Sequence, residues 1–483
     1  MAALHVMCRR FGYVTLQPMA FAPLDTTNFA VDSRRLFIGQ PRCRIEASIT
    51  MSNPSTISRP STTRKTPRQS WYKKLGPGLI TGAADDDPSG IATYSQAGAQ
   101  FGPNLLWTML FTYPLMVGIQ IVSARIGRVT GKGLAENIRE YYPRWLVYVI
   151  VGLLLLANTI NIAADVSAMG DALALLIGGP GRLYAAGFGI VSLLLQIFVP
   201  YSRYVRILKW LTLALLAYVA VVFTVDIPWR NVATALVMPK LTWDAATITT
   251  IVAVFGTTIS PYLFFWQASQ EVEELEADPN AQPLIEAPHQ ARASFRRIKI
   301  DTIVGMGFSN LVAFFIILTT AVSLHLHGVT NIQTSAEAAT ALKPIAGHFA
   351  FLLFAAGIIG TGMLAVPVLA GSAAYAMAGA FGWKKGLEHK PHVAKRFYSI
   401  IAVSTLIGIG LGFAPIDPIK ALYWSAVING VISVPIMLIM MLTASRSDVM
   451  GPFVINIKLK WLGWLATLAM AMAVIAMFAT FGS

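Results

Sequence analysis

Cysteine is nearly missing from this chain. Cys8 and Cys43 are the only two in 483 residues, and neither has a second Cys at metal-ligand or redox spacing. A disulfide framework and a zinc site are excluded on that count. Charge is scarce too, at 12% of residues, with 23 acidic side chains against 37 basic ones. A chain 55% hydrophobic, with mean hydropathy +0.61, is no ordinary soluble domain. Catalytic patterns are missing as well: there is no Ser-His-Asp, HExxH or paired-acid arrangement, so no enzyme is expected and no cofactor is implied. The glycines of "GIGLGFAP" (Gly408 to Pro415) lack the lysine and the strand that a phosphate loop needs.

Apolar sequence fills the chain instead. Runs of about 18 or more residues recur, each long enough to cross a bilayer as a helix. Eleven spans are predicted: 76–100, 104–124, 145–176, 183–200, 210–226, 246–270, 302–324, 345–380, 397–414, 421–443 and 461–481. The fold class is therefore all-α and polytopic. Lys and Arg set its orientation through the positive-inside bias. With the N-terminus in the cytoplasm, the inner side collects clusters such as Arg125 to Arg144, Arg203 to Lys209, Arg292 to Lys299 and Lys384 to Arg396. It then holds 32 of the 37 basic residues, leaving only Arg182, Arg230, Lys240, Lys343 and Lys420 outside. The net charge of +14 is mostly topology, and no nucleic-acid partner is expected. Residues 1–70, rich in Ser, Thr, Pro and Arg towards their end and without a secretory core, read as a disordered basic cytosolic tail, with Met51 a candidate start. Residues 71–483 form the membrane domain.

One stretch contradicts its surroundings. "TGAADDDPSGIATYSQAGAQ" puts Asp85, Asp86 and Asp87 inside the first span, with Pro88, Ser89 and Gly90 breaking the helix. A charge at bilayer depth costs roughly 2.5–3.5 kcal/mol even on lenient scales, so three adjacent carboxylates point to water or a bound cation. The sixth span, "IVAVFGTTISPYLFFWQASQ", is interrupted between Gly256 and Tyr262, where Thr257, Thr258 and Ser260 add hydroxyls. Five spans separate the breaks, which gives the two halves opposite topologies. Paired broken helices in inverted halves mark a transporter's midplane site, and unwound carbonyls there suit a cation.

With these residues the chain resembles the NRAMP family of divalent-metal transporters over about residues 71–445, chiefly through "GPGLITGAADDDPSGIATYSQAGA" and "RIGRVTGKGLAENIREYYPR". The resemblance implies a LeuT-like 5+5 inverted repeat with helices 1 and 6 broken. It places Asp87 on the family's metal-binding aspartate, Gly90 on its ligating asparagine, and Ala84 on a position lending a backbone carbonyl. In "TTISPY" it places Thr257 on a carbonyl donor, Ser260 on the thioether ligand and Tyr262 on the histidine. Asp86, beside Asp87, joins the implied metal site. The family's third-helix carboxylates for proton movement fall on Ala164 and Ser167, with Asp165 one residue away. An all-oxygen site suits hard cations, and Mg²⁺ in particular keeps waters and needs only one or two carboxylates. The pattern is similar to the NRAMP-related magnesium transporters. The implied function is Mg²⁺ uptake by alternating access without proton coupling, in the plasma membrane (the inner membrane of a bacterium). The alternatives are a proton-coupled Mn²⁺ or broad divalent-metal transporter, and a sodium-coupled symporter of organic solutes on the same fold.

Three other groups stay open. The acidic run Glu271, Glu273, Glu274, Glu276 and Asp278 reads as a solvated helix end or an ion-exit vestibule. His325 and His327 end the seventh span and lack a third ligand. Asn429, mid-membrane in the tenth span, serves helix packing or the ion path.

Overall fold

The computed structural model describes residues 77–199, 214–240, 242–387 and 389–481. The N-terminal tail with Met51, Cys8 and Cys43, the basic residues Arg203, Arg206 and Lys209, and the start of the fifth predicted span lie outside the described residues. Among those described, all regular structure is helical.

The first span is two half-helices, α1 (Pro77–Asp85) and α2 (Pro88–Phe101). Then come α3 (Trp107–Thr130), the short α4 (Leu134–Tyr141), α5 (Arg144–Ile177) and α6 (Gly181–Phe198). In the region of the fifth span the described helix is α7 (Leu216–Val221), followed by α8 (Trp229–Val237). The sixth span is again split, into α9 (Ala245–Thr258) and α10 (Pro261–Ala277). The chain continues with α11 (Ala291–Ser323), the short α12 (Ser335–Thr340) and α13 (Lys343–Ala346), and α14 (Ala350–Phe381). It ends with α15 (Lys395–Leu411), α16 (Pro418–Ala444), α17 (Ser447–Met450) and α18 (Ile457–Phe481). Eight helical stretches among the described residues are long and apolar enough to cross a membrane. The first predicted span is not among them because Asp85, Asp86 and Asp87 charge its middle, nor the ninth because α15 has 17 residues.

Local chemistry sets the ends. Asp244 caps α9 by accepting from the Thr247 backbone N–H at 2.8 Å, a bond that holds its carboxyl below the usual range. Pro88, Pro261 and Pro418 each sit at the start of a helix, where a missing N–H removes no helical bond. Packing then crosses the two broken helices: α2 lies against α9, and α1 against α10. First half meets second half in both pairs, the arrangement of antiparallel helices from inverted repeats. The long helices α5, α11, α14 and α16 surround them.

Small residues allow the closest crossings. A Cβ on Gly82 would sit 2.3 Å from the Gly305 backbone of α11. One on Gly256 would meet the Ala426 carbonyl of α16 at 2.1 Å and the Gly430 nitrogen at 2.5 Å. Gly256 bounds the stretch read from the sequence as interrupted, and the break is narrower than that stretch. Gly256 does not open the sixth span, since α9 runs on through Thr258; it lets α9 and α16 touch backbone to backbone. The break itself is Ile259–Ser260.

Candidate functional site

Asp87 is the N-cap of α2. Its Oδ1 accepts from the Gly90 N–H at 2.7 Å and the Ser89 hydroxyl at 2.6 Å, so α2 starts on a carboxylate that is 1% exposed. Its Oδ2 faces other helices. Asn161 of α5 donates its amide to it at 2.9 Å, and the Tyr262 hydroxyl of α10 stands 3.5 Å away. Asp165, one turn further along α5, interacts electrostatically with Asp87; it is fully buried and neither of its carboxylate oxygens has a hydrogen-bond partner.

The backbone positions expected to lend carbonyls are both engaged by hydroxyls. Tyr262 donates to the Ala84 carbonyl at 3.0 Å, and Ser260 donates to the Thr257 carbonyl at 2.7 Å and to Gly256 at 3.0 Å. Ser260 therefore turns back to close the C-terminal end of α9 and makes no side-chain cap on α10. The Thr257 hydroxyl is buried without a partner, 3.1 Å from where a Gly90 Cβ would stand. The fold thus gathers Ala84, Asp87, Gly90, Thr257 and Ser260 where the two breaks meet. The C-terminal ends of α1 and α9 bring the negative poles of two helices to the same place.

Asp86 parts from this group. Helical rotation turns it, with Asp85, toward Ser309 of α11, whose hydroxyl lies 2.5 Å from Asp85 Oδ2 and 3.1 Å from Asp86 Oδ1. Asp85 and Asp86 feel the charge of Asp87 but share no hydrogen-bond donor with it. Among the described residues no group of three or more His, Cys, Asp or Glu could hold a metal ion. Sequence reasoning missed Asn161 and Ser309. The signal for Asn161 was available: Asn158, Asn161 and Asp165 recur at helical spacing in an otherwise apolar α5.

Both approaches to the site are closed. On the α2 side a cavity of about 310 Å³ is lined by Gln96, Gln100, Thr250, Asn331, Tyr423 and Lys420 among others. Between it and Asp87, the Tyr94 and Thr258 hydroxyls join α2 to α9 at 3.1 Å. On the α10 side, Arg297 of α11 pairs with Glu271 at 2.5 Å and Glu274 at 2.7 Å. Glu273 accepts from the Tyr375 hydroxyl and, at 2.7 Å, from the Leu387 N–H, while Lys385 pairs with Glu136. The acidic run is thus ion-paired at its start and solvated at Glu276 and Asp278. His325 is structural: its Nδ1 meets the Ala99 carbonyl at 2.8 Å and fixes the end of α2. Asn429 is buried with both amide atoms unpartnered.

Two broken helices laid antiparallel, with a buried carboxylate where their ends meet, are the architecture of inverted-repeat transporters. The fold is similar to that of a manganese transporter from Eremococcus coleocola, solved with an aromatic bis-isothiourea compound, at TM-score 0.66 and 18% identity over 86% of this chain and 89% of that one. It is also similar to Mhp1, a nucleobase-cation-symport-1 family transporter, at TM-score 0.53 and 14% identity over 84% and 92% of the two chains. MhsT in complex with L-phenylalanine gives 0.53 and 13% over 83% and 98%. At such identities these likenesses speak for the fold. The family is shown by a profile described as Natural resistance-associated macrophage protein-like (Nramp), which matches residues 78–480, and the chain belongs to that family. It is a multi-pass membrane transporter of divalent metal cations, not an enzyme.

Proposed function

We propose that this chain takes up Mg²⁺ by alternating access, with Asp87 as the charged ligand and without moving protons. One observation carries the reading: the groups touching Asp87 are an amide, hydroxyls and a backbone N–H. The family resemblance supports it, since it aligns Ser260 and Tyr262 with a thioether and an imidazole that would serve softer metals and proton transfer. Hydroxyls, carbonyls and one carboxylate suit a hard ion that keeps part of its water. Ala84, Thr257, Ser260 and the space left at Gly90 complete the lining; Asp86 contributes negative potential from beside it.

The electrical gradient is sufficient drive. Each charge falling through 100 mV releases about 2.3 kcal/mol, so a divalent ion gains about twice that, over a thousandfold in accumulation. The positive-inside bias of the basic loops supports a cytoplasmic N-terminus, with the α2-side cavity then outside and the Glu271–Arg297 pair inside. The plasma membrane, with its inside-negative potential, is the setting of this reading.

Two observations favour a second reading, proton-coupled Mn²⁺ transport. Asp165 is a buried carboxylate without a hydrogen-bond partner beside Asp87, and the Met169 thioether, one turn on, packs with Pro88 around Gly362. Flux into liposomes with a metal dye and a pH dye in the lumen separates the two. Mg²⁺ influx driven by an inside-negative potential, with no acidification, is expected. Mn²⁺ influx with acidification and none of Mg²⁺ would select the second.

A further inference from the structure

We propose that Asn161 of α5 supplies the side-chain amide oxygen of the cation site. The inference rests on the reading of Asp87 as the charged ligand and names a ligand that the first and sixth spans do not contain. Asn161 is 0% exposed, in the middle of an unbroken 34-residue helix, and its Nδ2 donates to Asp87 Oδ2 at 2.9 Å. Its Oδ1 is buried with no hydrogen-bond partner. A buried amide carbonyl without a donor is a costly arrangement unless something electropositive reaches it. This oxygen is bonded to the same carbon as the nitrogen that already holds the carboxylate.

The neighbouring space explains why the amide comes from α5. Gly90 brings no side chain, and a Cβ there would stand 3.1 Å from the Thr257 hydroxyl and 3.3 Å from the Tyr94 ring. Thr257 Oγ1 is a second buried oxygen without a partner. Asp87, Asn161 and Thr257 would then offer one carboxylate and two neutral oxygens from three helices, a hard donor set for a partly hydrated divalent ion. With an ion bound, its charge takes over the role of the Asn161 N–H toward Asp87, and the amide is free to turn its oxygen inward.

The test uses the full chain in liposomes, comparing wild type, Asp87→Asn, Asn161→Leu and Asn161→Cys for Mg²⁺ uptake and Cd²⁺ affinity. Asn161→Leu should raise the Mg²⁺ KM by about tenfold or more. Asn161→Cys should lose Mg²⁺ similarly while binding Cd²⁺ about tenfold more tightly than wild type, because a thiolate favours soft metals. A residue that only holds Asp87 in place would weaken both metals by the same factor. Equal loss of Mg²⁺ and Cd²⁺ in Asn161→Cys, or a wild-type KM in Asn161→Leu, overturns the proposal. Should Asn161→Leu fail to fold, the Cd²⁺ to Mg²⁺ ratio of Asn161→Cys decides. If wild type carries divalent metal, Asp87→Asn does not, and both Asn161 variants behave as wild type, the reading of Asp87 stands and only this inference fails. If wild type carries none, both fail.

Discussion

Replacing Asp87 by Asn separates its two jobs. As N-cap of α2 it accepts from Gly90 and Ser89, and an Asn carbonyl can do the same, since Asn and Asp are nearly equal at this position. At the Oδ2 position the new amide would face the Asn161 amide nitrogen, a donor against a donor, but Asn161 can rotate its own unpartnered Oδ1 toward it. The folding cost should stay within about 1 kcal/mol. The ion loses its only touching carboxylate. Removing one partner of a buried charge pair costs about 3–5 kcal/mol, a loss of affinity from roughly a hundredfold to a few thousandfold. Mg²⁺ titration of the purified protein, with a thermal melt alongside, reads both quantities. An unchanged melt with affinity lost is expected, whereas Asp87→Ala should lose the affinity and also about 1 kcal/mol of stability with the cap. Affinity within threefold of wild type in Asp87→Asn would refute the assignment of Asp87 as the charged ligand.

Ser260→Met should lower Mg²⁺ transport and raise affinity for Mn²⁺ or Cd²⁺, read by competitive uptake, because it adds a soft donor and releases the Gly256 and Thr257 carbonyls. Gly256→Ala should destabilise the protein by about 1–3 kcal/mol or more through overpacking against Ala426 and Gly430, seen as a lower melting temperature. Gly410→Ala, whose Cβ would meet nothing within 4 Å, is the control and should melt no lower than wild type. Arg297→Leu leaves the fully buried Glu271 without its counter-charge and should open the α10 side; a cysteine placed at Ser260 should then react faster with a membrane-impermeant thiol reagent from that side, and an unchanged rate would show that the pair is no latch.

How far the sequence disclosed this molecule depended on whether a feature was local. The break at Asp87–Pro88 was legible because a capping Asp, a Pro at the first helical position and the following Ser and Gly all act within four residues. The second break was read too widely, since Gly256 carries the composition of a hinge but serves a contact with α16, about 170 residues further along the chain. The three aspartates read as one cluster because they are adjacent. Helix geometry sends two of them to Ser309 and one to Asn161, and both partners lie far away in the chain. The acidic run at the end of α10 read as a solvated helix end or an ion-exit vestibule because its counter-charge, Arg297, belongs to another helix. Asn161 was visible as a polar face of α5, yet periodicity alone could not say which neighbour that face meets.

The most direct measurement is anomalous diffraction from crystals soaked in Mn²⁺ at a range of concentrations, with Mg²⁺ added as competitor. Asp87 at the crossing of the two broken helices should hold a single peak at a ligand distance of about 2.0–2.3 Å, with Asn161 Oδ1 turned toward it, and Mg²⁺ should displace it. A peak at the Glu271 to Asp278 run with none at Asp87, or a peak at Asp87 that Mg²⁺ cannot displace, would contradict the account.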